Sequence, residues 1–228
     1  MEKTKVTEKI KVLIADDHTV VRQGLKALLE AQHDITVVAE ADTGRQAVRL
    51  AQQLAPDVVV MDVAMPLLNG LEATRQIIKD APATRVLVLS SYSDDEYVRQ
   101  VTEIGAAGYL LKQTAAEDLI KAIREARNGN AFFSPAISKR LLENCRQAFL
   151  NGVPAGTQMD RLTSRESEVL QLVTEGKVNK QISTELCISV KTVEKHRQEL
   201  MNKLNIHHVA GLTRYAISRG IIKSSVSP

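Results

Sequence analysis

The first half of the chain contains four short apolar runs, and each ends at a polar residue with reactive chemistry. The runs lead into Asp16 and Asp17, into Asp62, into Ser90 and into Lys112. Short apolar runs that alternate with helical stretches are typical of parallel strands buried in an α/β sheet. Ligands of such sheets bind at the carboxyl ends of the strands. The pattern therefore predicts one crevice that gathers three carboxylates, a hydroxyl and an ammonium group.

The spacing of the runs predicts five strand–helix units. Strands are expected near residues 10–15, 35–40, 57–61, 85–90 and 108–111, and helices near 18–31, 43–54, 70–80, 94–104 and 114–127. Right-handed crossovers between such units produce an α/β doubly wound, five-stranded parallel sheet. In the flavodoxin-like strand order the binding crevice lies beside the first strand, next to Asp16 and Asp17.

The residue types at the strand ends favour a divalent cation and a phosphoryl group. Mg²⁺ prefers carboxylate, carbonyl and water oxygens, and Asp16, Asp17 and Asp62 offer the carboxylates. A carboxylate can also act as a nucleophile and become an aspartyl phosphate. Lys112 and the Ser90 hydroxyl could then stabilise the phosphoryl oxygens. The alternative interpretation, in which the aspartates only cap a helix and open a turn, suits each residue singly but not the whole set.

Charge is distributed unevenly along the chain. Residues 1–126 hold 15 Lys and Arg against 19 Asp and Glu, a net charge of −4. Residues 127–228 hold 15 against 8, a net charge of +7. The basic second half indicates a nucleic-acid partner, although basic surfaces also occur without one.

The second half is predicted to be helical. The alternation of strands and helices stops at residues 127–160, which are predicted to form a linker. The linker carries one helix near 135–148 and a flexible joint at 151–157. Thr163 and Glu166 form a capping-box pattern at the start of the next helix. Asn179 and Ser189 are predicted to cap the two helices that follow, and a fourth runs from about His208 to Gly220. Short helices joined by turns favour a helix-turn-helix.

The helix after Ser189 has the pattern of a recognition helix. One face is apolar, and the opposite face carries long polar side chains able to reach base edges: Lys191, Glu194, Lys195, Gln198 and Asn202. From periodicity alone, a solvated amphipathic helix remains the alternative. No apolar stretch approaches the roughly 18 residues of a membrane span. The two cysteines, Cys145 and Cys187, are far apart, which favours reduced thiols and a cytoplasmic protein.

The first half resembles the receiver domain of bacterial two-component response regulators over about residues 9–128. The resemblance rests on Asp16-Asp17-His18, on Met61-Asp62-Val63-Ala64-Met65-Pro66 with Gly70, on Ser90, and on the run Gly105–Lys112. It implies that Asp62 accepts a phosphoryl group from a sensor histidine kinase. It further implies that Asp16, Asp17, Asp62 and the Ala64 carbonyl hold Mg²⁺, that Ser90 and Lys112 bind the phosphoryl group, and that Ser90 and Tyr109 form a switch pair. Ala64 and Tyr92 are expected to line the mouth of the site.

Residues 162–206 resemble the LuxR-type helix-turn-helix of the NarL/FixJ subfamily. The matching stretches are Leu162–Leu170, Gly176, Asn179–Ile182, Leu186, Ile188-Ser189, Thr192-Val193, His196 and Lys203-Leu204. The resemblance implies phosphate contacts from Lys180, Thr192, His196 and Arg197, and base contacts from Glu194, Lys195 and Gln198. Lys191 and Lys203 complete the predicted DNA-binding set. The fourth helix is the expected dimer surface, with Leu212 and Ile217 as contacts.

The predicted organisation is a receiver domain at 9–128, a linker at 129–160 and a DNA-binding domain at 161–223. The leading hypothesis is a transcription factor in which phosphorylation controls dimerisation and binding to double-stranded promoter DNA. Such a protein is not an enzyme and has no catalytic residues, and the one reaction expected of it is the loss of its own phosphoryl group. Two alternatives remain at this point. One is a Mg²⁺-dependent aspartyl-phosphate phosphohydrolase, which would want an acid at Ala64. The other is a constitutive DNA-binding protein whose receiver only dimerises.

Overall fold

The computed structural model of the protein describes residues 8–91, 95–114, 116–150 and 162–222. The first part of the chain forms a parallel sheet flanked by helices, and the last part forms four helices. The predictions for Tyr92, for the joint at 151–157 and for the last part of the linker, residues 151–160, lie outside the described residues. Within the described ranges, no helix is both long and apolar enough to cross a membrane.

The sheet has six parallel strands in the order β2-β1-β3-β4-β5-β6. Their bounds are β1 Ile10–Ala15, β2 Ile35–Ala41, β3 Val58–Asp62, β4 Arg85–Ser90, β5 Gly108–Leu111 and β6 Phe132–Phe133. The first five strands confirm the predicted doubly wound order. Strand order reverses beside β1, so the carboxyl ends of β1 and β3 face a shared crevice.

Five helices connect and cover the strands: α1 Thr19–Glu30, α2 Gly44–Leu54, α3 Gly70–Asp80, α4 Asp95–Ile104 and α5 Ala116–Arg127. The Thr43 and Asn69 side chains cap α2 and α3. Each accepts a hydrogen bond from the backbone N–H of the third residue of its helix, Gln46 in α2 and Glu72 in α3. Apolar side chains pack on both faces of the sheet, which explains why the strands read as nearly continuous apolar runs.

The sixth strand differs from the five-stranded prediction. Phe132 pairs with Gly108, and Phe133 pairs with Tyr109, so β6 extends the sheet beyond β5. A two-residue strand is too short to show any periodicity, and these residues fell in the predicted linker. Helix α6, Pro135–Leu150, follows at once and packs on α4 through the buried Ile137 and the partly buried Leu141. Leu142, the residue after Leu141, is 71 % exposed.

The last part contains α7 Ser164–Thr174, α8 Asn179–Leu186, α9 Val190–Leu204 and α10 Val209–Ser218. The predicted capping box of α7 is present, because Thr163 and Glu166 bond reciprocally through side chain and backbone. Ser189 caps α9 as predicted, by accepting a hydrogen bond from Thr192 N. Asn179 is the first residue of α8 rather than its cap, and the Val178 backbone N–H donates instead to Gln181 Oε1.

The four helices share one apolar core, which includes Val169, Ile182, Val193 and Leu200. Leu212 is fully buried in this core, so the prediction that it contacts a second copy is wrong. Ile217, the other predicted contact, is 38 % exposed on α10. Helical spacing alone could not separate the inner from the outer stripe of α10, because both carry apolar residues.

Candidate functional site

Three aspartates meet at the carboxyl ends of β1 and β3. Asp16 and Asp17 directly follow β1, and Asp62 is the last residue of β3. Asp16, Asp17, His18 and Asp62 each offer a potential ligand atom within 4.8 Å of the others. Asp16 and Asp62 are buried, and Asp17 is half-buried. The structure therefore brings the three predicted carboxylates together, although Asp62 lies 45 positions after Asp17 in the sequence.

Lys112 places its ammonium group between two of these carboxylates. Its Nζ lies 2.5 Å from Asp16 Oδ2 and 3.2 Å from Asp62 Oδ1. Burial by itself lowers the pKa of Lys112, but the charges and hydrogen bonds of Asp62 and Asp16 outweigh it and raise the pKa above its ordinary value of 10.5. Lys112 is therefore a permanent cation that offsets the mutual repulsion of the buried acids.

Two residues of α1 and its cap hold the first carboxylates in place. The His18 backbone N–H donates to Asp16 Oδ1 over 2.8 Å, and His18 Nδ1 lies 2.7 Å from Asp17 Oδ1. Arg22 Nη1 donates to the backbone carbonyl of Asp16 over 2.7 Å. These contacts of His18 and Arg22 were not predicted from the sequence. Adjacency to the aspartate pair was the available signal for His18.

The donor set at this site fits a hard divalent cation. Two buried carboxylates and one half-buried carboxylate converge, and Mg²⁺ favours such oxygen ligands while retaining water. Ala64, whose carbonyl was predicted as a further ligand, is buried two residues beyond Asp62. Lys112 supplies the cationic partner that the cluster needs when no metal is bound.

The predicted switch residues both lie on strands next to the acid cluster. Ser90 ends β4 and Tyr109 lies in β5, and both are fully buried. Tyr109 packs with Val88, Val98 and Ile137 in the cluster between the sheet, α4 and α6. The ring of Tyr109 therefore occupies an inward position, among the elements that a switch would have to move.

The predicted DNA-reading side chains share one open face of α9. Glu194, Lys195 and Gln198 are exposed, and so are Lys191 on the first turn of α9 and Lys180 on α8. Gln198 Nε2 donates to Asn202 Oδ1 over 3.0 Å, one turn along the helix. Lys195 and Glu199 form an exposed pair with 3.7 Å between Nζ and Oε1. These contacts are easily exchanged for contacts with a ligand, because they lie in solvent.

The other three predicted phosphate-contacting side chains, apart from Lys180, are less exposed. Thr192, His196 and Arg197 are half-buried, and Arg197 donates to Asn179 Oδ1 at the start of α8. The hydroxyls of Thr192 and Ser189 lie 2.8 Å apart. Both contacts fix side chains at the junction of α8 and α9, the region that meets the backbone of a duplex in a helix-turn-helix.

Lys203 has a partner within its own domain. Its Nζ lies 2.7 Å from both carboxylate oxygens of the buried Glu166. Burial by itself raises the pKa of Glu166, but hydrogen bonds from Lys203 and Thr163 outweigh it and lower the pKa below 4.5. Lys203 thus links the end of α9 to the start of α7.

One part of the site was not predicted from the sequence: the contacts between α7 and the loop that follows Asp62. Gln171 of α7 is buried and bonds to Met65 and Asn69, in the loop that follows Asp62. No local signal could have found this contact, because it joins residues about a hundred positions apart.

Two family models match the chain. The model of the response regulator receiver domain matches residues 12–124, and the model of the bacterial regulatory proteins of the luxR family matches residues 160–216. The transcriptional regulatory protein LiaR of Bacillus subtilis is 43 % identical over 197 residues, which cover 86 % of this chain and 92 % of LiaR. The oxygen regulatory protein NreC of Staphylococcus carnosus is 38 % identical over 219 residues, 93 % of this chain and 99 % of NreC.

Solved structures give the same result at nearly full length. The response regulator ChrA of a heme-sensing two-component system is 31 % identical, with a TM-score of 0.51 over 94 % of this chain and 99 % of ChrA. RcsB of Salmonella enterica serovar Typhimurium, solved on promoter rprA with the phosphomimetic BeF3−, is 27 % identical. Its TM-score is 0.58 over 91 % of this chain and 98 % of RcsB.

Proposed function

This chain belongs to the NarL/FixJ-type response regulators, which join a receiver domain to a LuxR-type DNA-binding domain, and we propose that a phosphoryl group on Asp62 controls its binding to promoter DNA. One observation carries the proposal: Asp62 is buried at a strand end beside Asp16, with the Lys112 ammonium group between them. The working units are the receiver at 9–128, the linker at 129–160 and the DNA-binding domain at 161–223.

The phosphoryl donor is a phosphohistidine of a sensor histidine kinase. A carboxylate oxygen of Asp62 attacks the phosphorus while the P–N bond breaks, and the imidazole nitrogen keeps the electron pair. Lys112 neutralises charge on the phosphoryl oxygens, and the Ser90 hydroxyl donates a further hydrogen bond. Asp16, Asp17, Asp62 and the Ala64 carbonyl would hold Mg²⁺, which would supply further positive charge for the phosphoryl oxygens.

The phosphorylated receiver then favours a state in which two DNA-binding domains pair on one duplex. Ser90 and Tyr109 connect the site to the face formed by β5, α4 and α6, through the packing of Tyr109. Ile217 on the exposed side of α10 is the retained candidate for the pairing surface. A chromosomal DNA target implies that the protein works in the cytoplasm. Spontaneous hydrolysis of the acyl phosphate resets the switch.

The alternatives have no specific support. A phosphohydrolase would need an acid near Asp62 at the position of Ala64, and LiaR, a relative that matches 86 % of this chain, is a transcriptional regulatory protein. A constitutive DNA-binding protein has no physical need for buried Asp16 and Asp62 with Lys112 between them, because that arrangement costs desolvation free energy.

The proposal is tested on the wild-type chain with Mg²⁺ and beryllofluoride, a stable mimic of the phosphoryl group. We expect dimers by light scattering. We also expect at least about tenfold tighter binding to genomic DNA fragments selected by their retention on the protein, which corresponds to a coupling free energy of about 1.4 kcal/mol. The measurement is fluorescence anisotropy at fixed ionic strength, since salt changes such affinities strongly. Equal affinity with and without beryllofluoride would rule out the phosphorylation switch.

Substitutions on α8 and α9 are expected to separate base reading from phosphate binding. Gln198→Ala should remove about 1–3 kcal/mol of discrimination at one base pair, because Gln198 bonds base edges. Lys180→Ala should weaken binding to all sequences alike and lower the salt slope by about 1. Anisotropy titrations on matched and mismatched duplexes over a salt series measure both effects. Lys79→Ala, an exposed receiver lysine, serves as the control, and a uniform loss for Gln198→Ala would contradict base reading.

A further inference from the structure

The loop between β3 and α3, residues 63–69, is clamped by one glutamine of the DNA-binding domain. Gln171 Nε2 donates to the Met65 carbonyl over 3.0 Å. Gln171 Oε1 accepts from Asn69 N over 2.7 Å and from Asn69 Nδ2 over 3.2 Å. Gln171 and Asn69 are 1 % and 4 % exposed. A buried amide that bonds through both its ends has one orientation and one register, so this contact is specific.

The tip of the same loop is held in an unusual conformation by α7. Leu67 has a φ of 67°, a left-handed conformation that non-glycine residues adopt at a cost. Its backbone N–H donates to Glu175 Oε1 over 3.1 Å, and its side chain packs against the apolar core of the DNA-binding domain. The docked helix therefore maintains a strained residue that lies five positions after Asp62.

Side chains beside the clamp fix the orientation of α7 on the receiver. The Glu168 side chain is 8 % exposed, and its Oε2 lies 3.1 Å from Arg45 Nη2 of α2. Glu168 also accepts a hydrogen bond from Gln76 Nε2 of α3 over 3.1 Å. Arg45 Nε lies 3.4 Å from Glu185 Oε1 of α8. The receiver thus meets three acidic side chains of the DNA-binding domain: Glu168, Glu175 and Glu185.

The clamped loop also belongs to the phosphoryl site. It begins directly after Asp62 and contains Ala64, the proposed carbonyl ligand of the metal. Gly70 N donates to Val63 O over 2.7 Å, which joins the two ends of the loop. A movement at Met65 or Leu67 is therefore transmitted to the ligands of the site over a few bonds. Meanwhile Glu194, Lys195 and Gln198 remain exposed, so the docked arrangement leaves the DNA-reading face uncovered.

We propose that Gln171 is a positioning residue of the phosphoryl site: while α7 is docked, it holds the β3–α3 loop in an arrangement that opposes Mg²⁺ and the phosphoryl group. This inference rests on the proposed function, in which the phosphoryl group shifts the position of the DNA-binding domain. Coupling between two equilibria is reciprocal, so a phosphoryl group that disfavours docking by a given factor is itself bound more weakly by that factor while the domain is docked. Charge acts in the same direction, since a phosphoryl group adds negative charge near a loop held by acidic residues of α7. Phosphoryl binding is therefore coupled to the position of the DNA-binding domain and not to the access of DNA to α9.

The experiment compares the wild-type chain with Gln171→Leu, which leaves the Met65 carbonyl and the Asn69 N–H without partners in the docked state only. Beryllofluoride is titrated at saturating Mg²⁺, and the bound species is followed by fluorine NMR. We expect Gln171→Leu to bind beryllofluoride at least about fivefold more tightly than wild type, within the usual range of coupling between sites. A variant that was merely damaged would bind more weakly, so the direction separates positioning from misfolding.

Arg45→Ala removes a different contact of the docked α7, the pairing of Arg45 with Glu168 and Glu185, and is expected to tighten beryllofluoride binding in the same direction. Thr174→Ala is the matched control, because among the described residues its hydroxyl bonds only to the Leu170 and Gln171 carbonyls of its own helix. The affinity of this variant for beryllofluoride should equal that of wild type. Hydrogen exchange gives a second readout: the Leu67 and Asn69 amides should exchange slowly in wild type, and faster in Gln171→Leu or after beryllofluoride binds.

The outcomes distinguish this inference from the proposed function. If wild type binds beryllofluoride but Gln171→Leu and Arg45→Ala bind it equally or more weakly, the clamp does not oppose the phosphoryl group and the inference is overturned. If wild type does not bind beryllofluoride at all, the proposed function itself fails.

Discussion

Asp62→Asn is expected to abolish formation of the acyl phosphate. The carboxamide is a poor nucleophile and carries no charge for Lys112 or a divalent cation to pair with. Incubation with a small-molecule phosphodonor and Mg²⁺, followed by phosphate-affinity electrophoresis, should show a shifted band for wild type and none for the variant. The DNA affinity of the variant should not respond to the donor.

Asp57→Asn is the matched control, because Asp57 lies at the opposite end of β3. Its carboxylate accepts from Lys11 N over 2.8 Å and pairs with Arg127, away from the acid cluster. This variant should be phosphorylated like wild type. A hydroxylamine-sensitive phosphoryl group that persisted in Asp62→Asn would show that Asp16 or Asp17 is the acceptor, contrary to the proposal.

Gly70→Ala is expected to destabilise the receiver by about 3 kcal/mol or more, as severe overpacking does. A Cβ on Gly70 would overlap the backbone carbonyl of Asp62 and meet the Met61 side chain. The displaced atoms are backbone atoms of the phosphoryl acceptor, so they cannot yield as a flexible side chain would. Calorimetry should show a lower melting temperature, and the surviving folded protein should bind beryllofluoride more weakly.

Gly24→Ala provides the control of opposite sign. Gly24 lies inside α1, and a Cβ there would meet no heavy atom of the described residues within 4 Å beyond the backbone of its own helix and its chain neighbours. Alanine favours a helix interior over glycine by about 1 kcal/mol, so this variant should melt at a slightly higher temperature. If Gly70→Ala melted like Gly24→Ala, the close approach of α3 to the end of β3 would not exist in solution.

The acid cluster could be predicted because its geometry follows from local rules. Parallel strands joined by right-handed crossovers carry their carboxyl ends to one edge, so residues that follow β1, β3 and β5 must meet there. Asp16, Asp62 and Lys112 do meet. The caps at Thr163 and Ser189 were equally predictable, because a cap involves residues only three positions apart.

Predictions failed or were missing where local spacing carried no information. Strand β6 has two residues and therefore no period to read. Leu212 and Ile217 are both apolar residues of α10, and only packing against α7 decided that Leu212 lies inside. Lys203 was predicted to bind DNA, and its ion pair with Glu166, 37 positions earlier, was not predicted.

The sequence by itself determined the two kinds of domain, the order of the strands and the residues that could hold a phosphoryl group. Each of these depends on side-chain period, on turn and cap chemistry, or on the handedness of crossovers, all of which act over short stretches of chain. Only the tertiary structure decided that Gln171 grips the loop after Asp62 and that the DNA-reading face stays open. Those features depend on how two separately folded surfaces fit, and no local pattern encodes the match between a buried amide and a loop a hundred residues away.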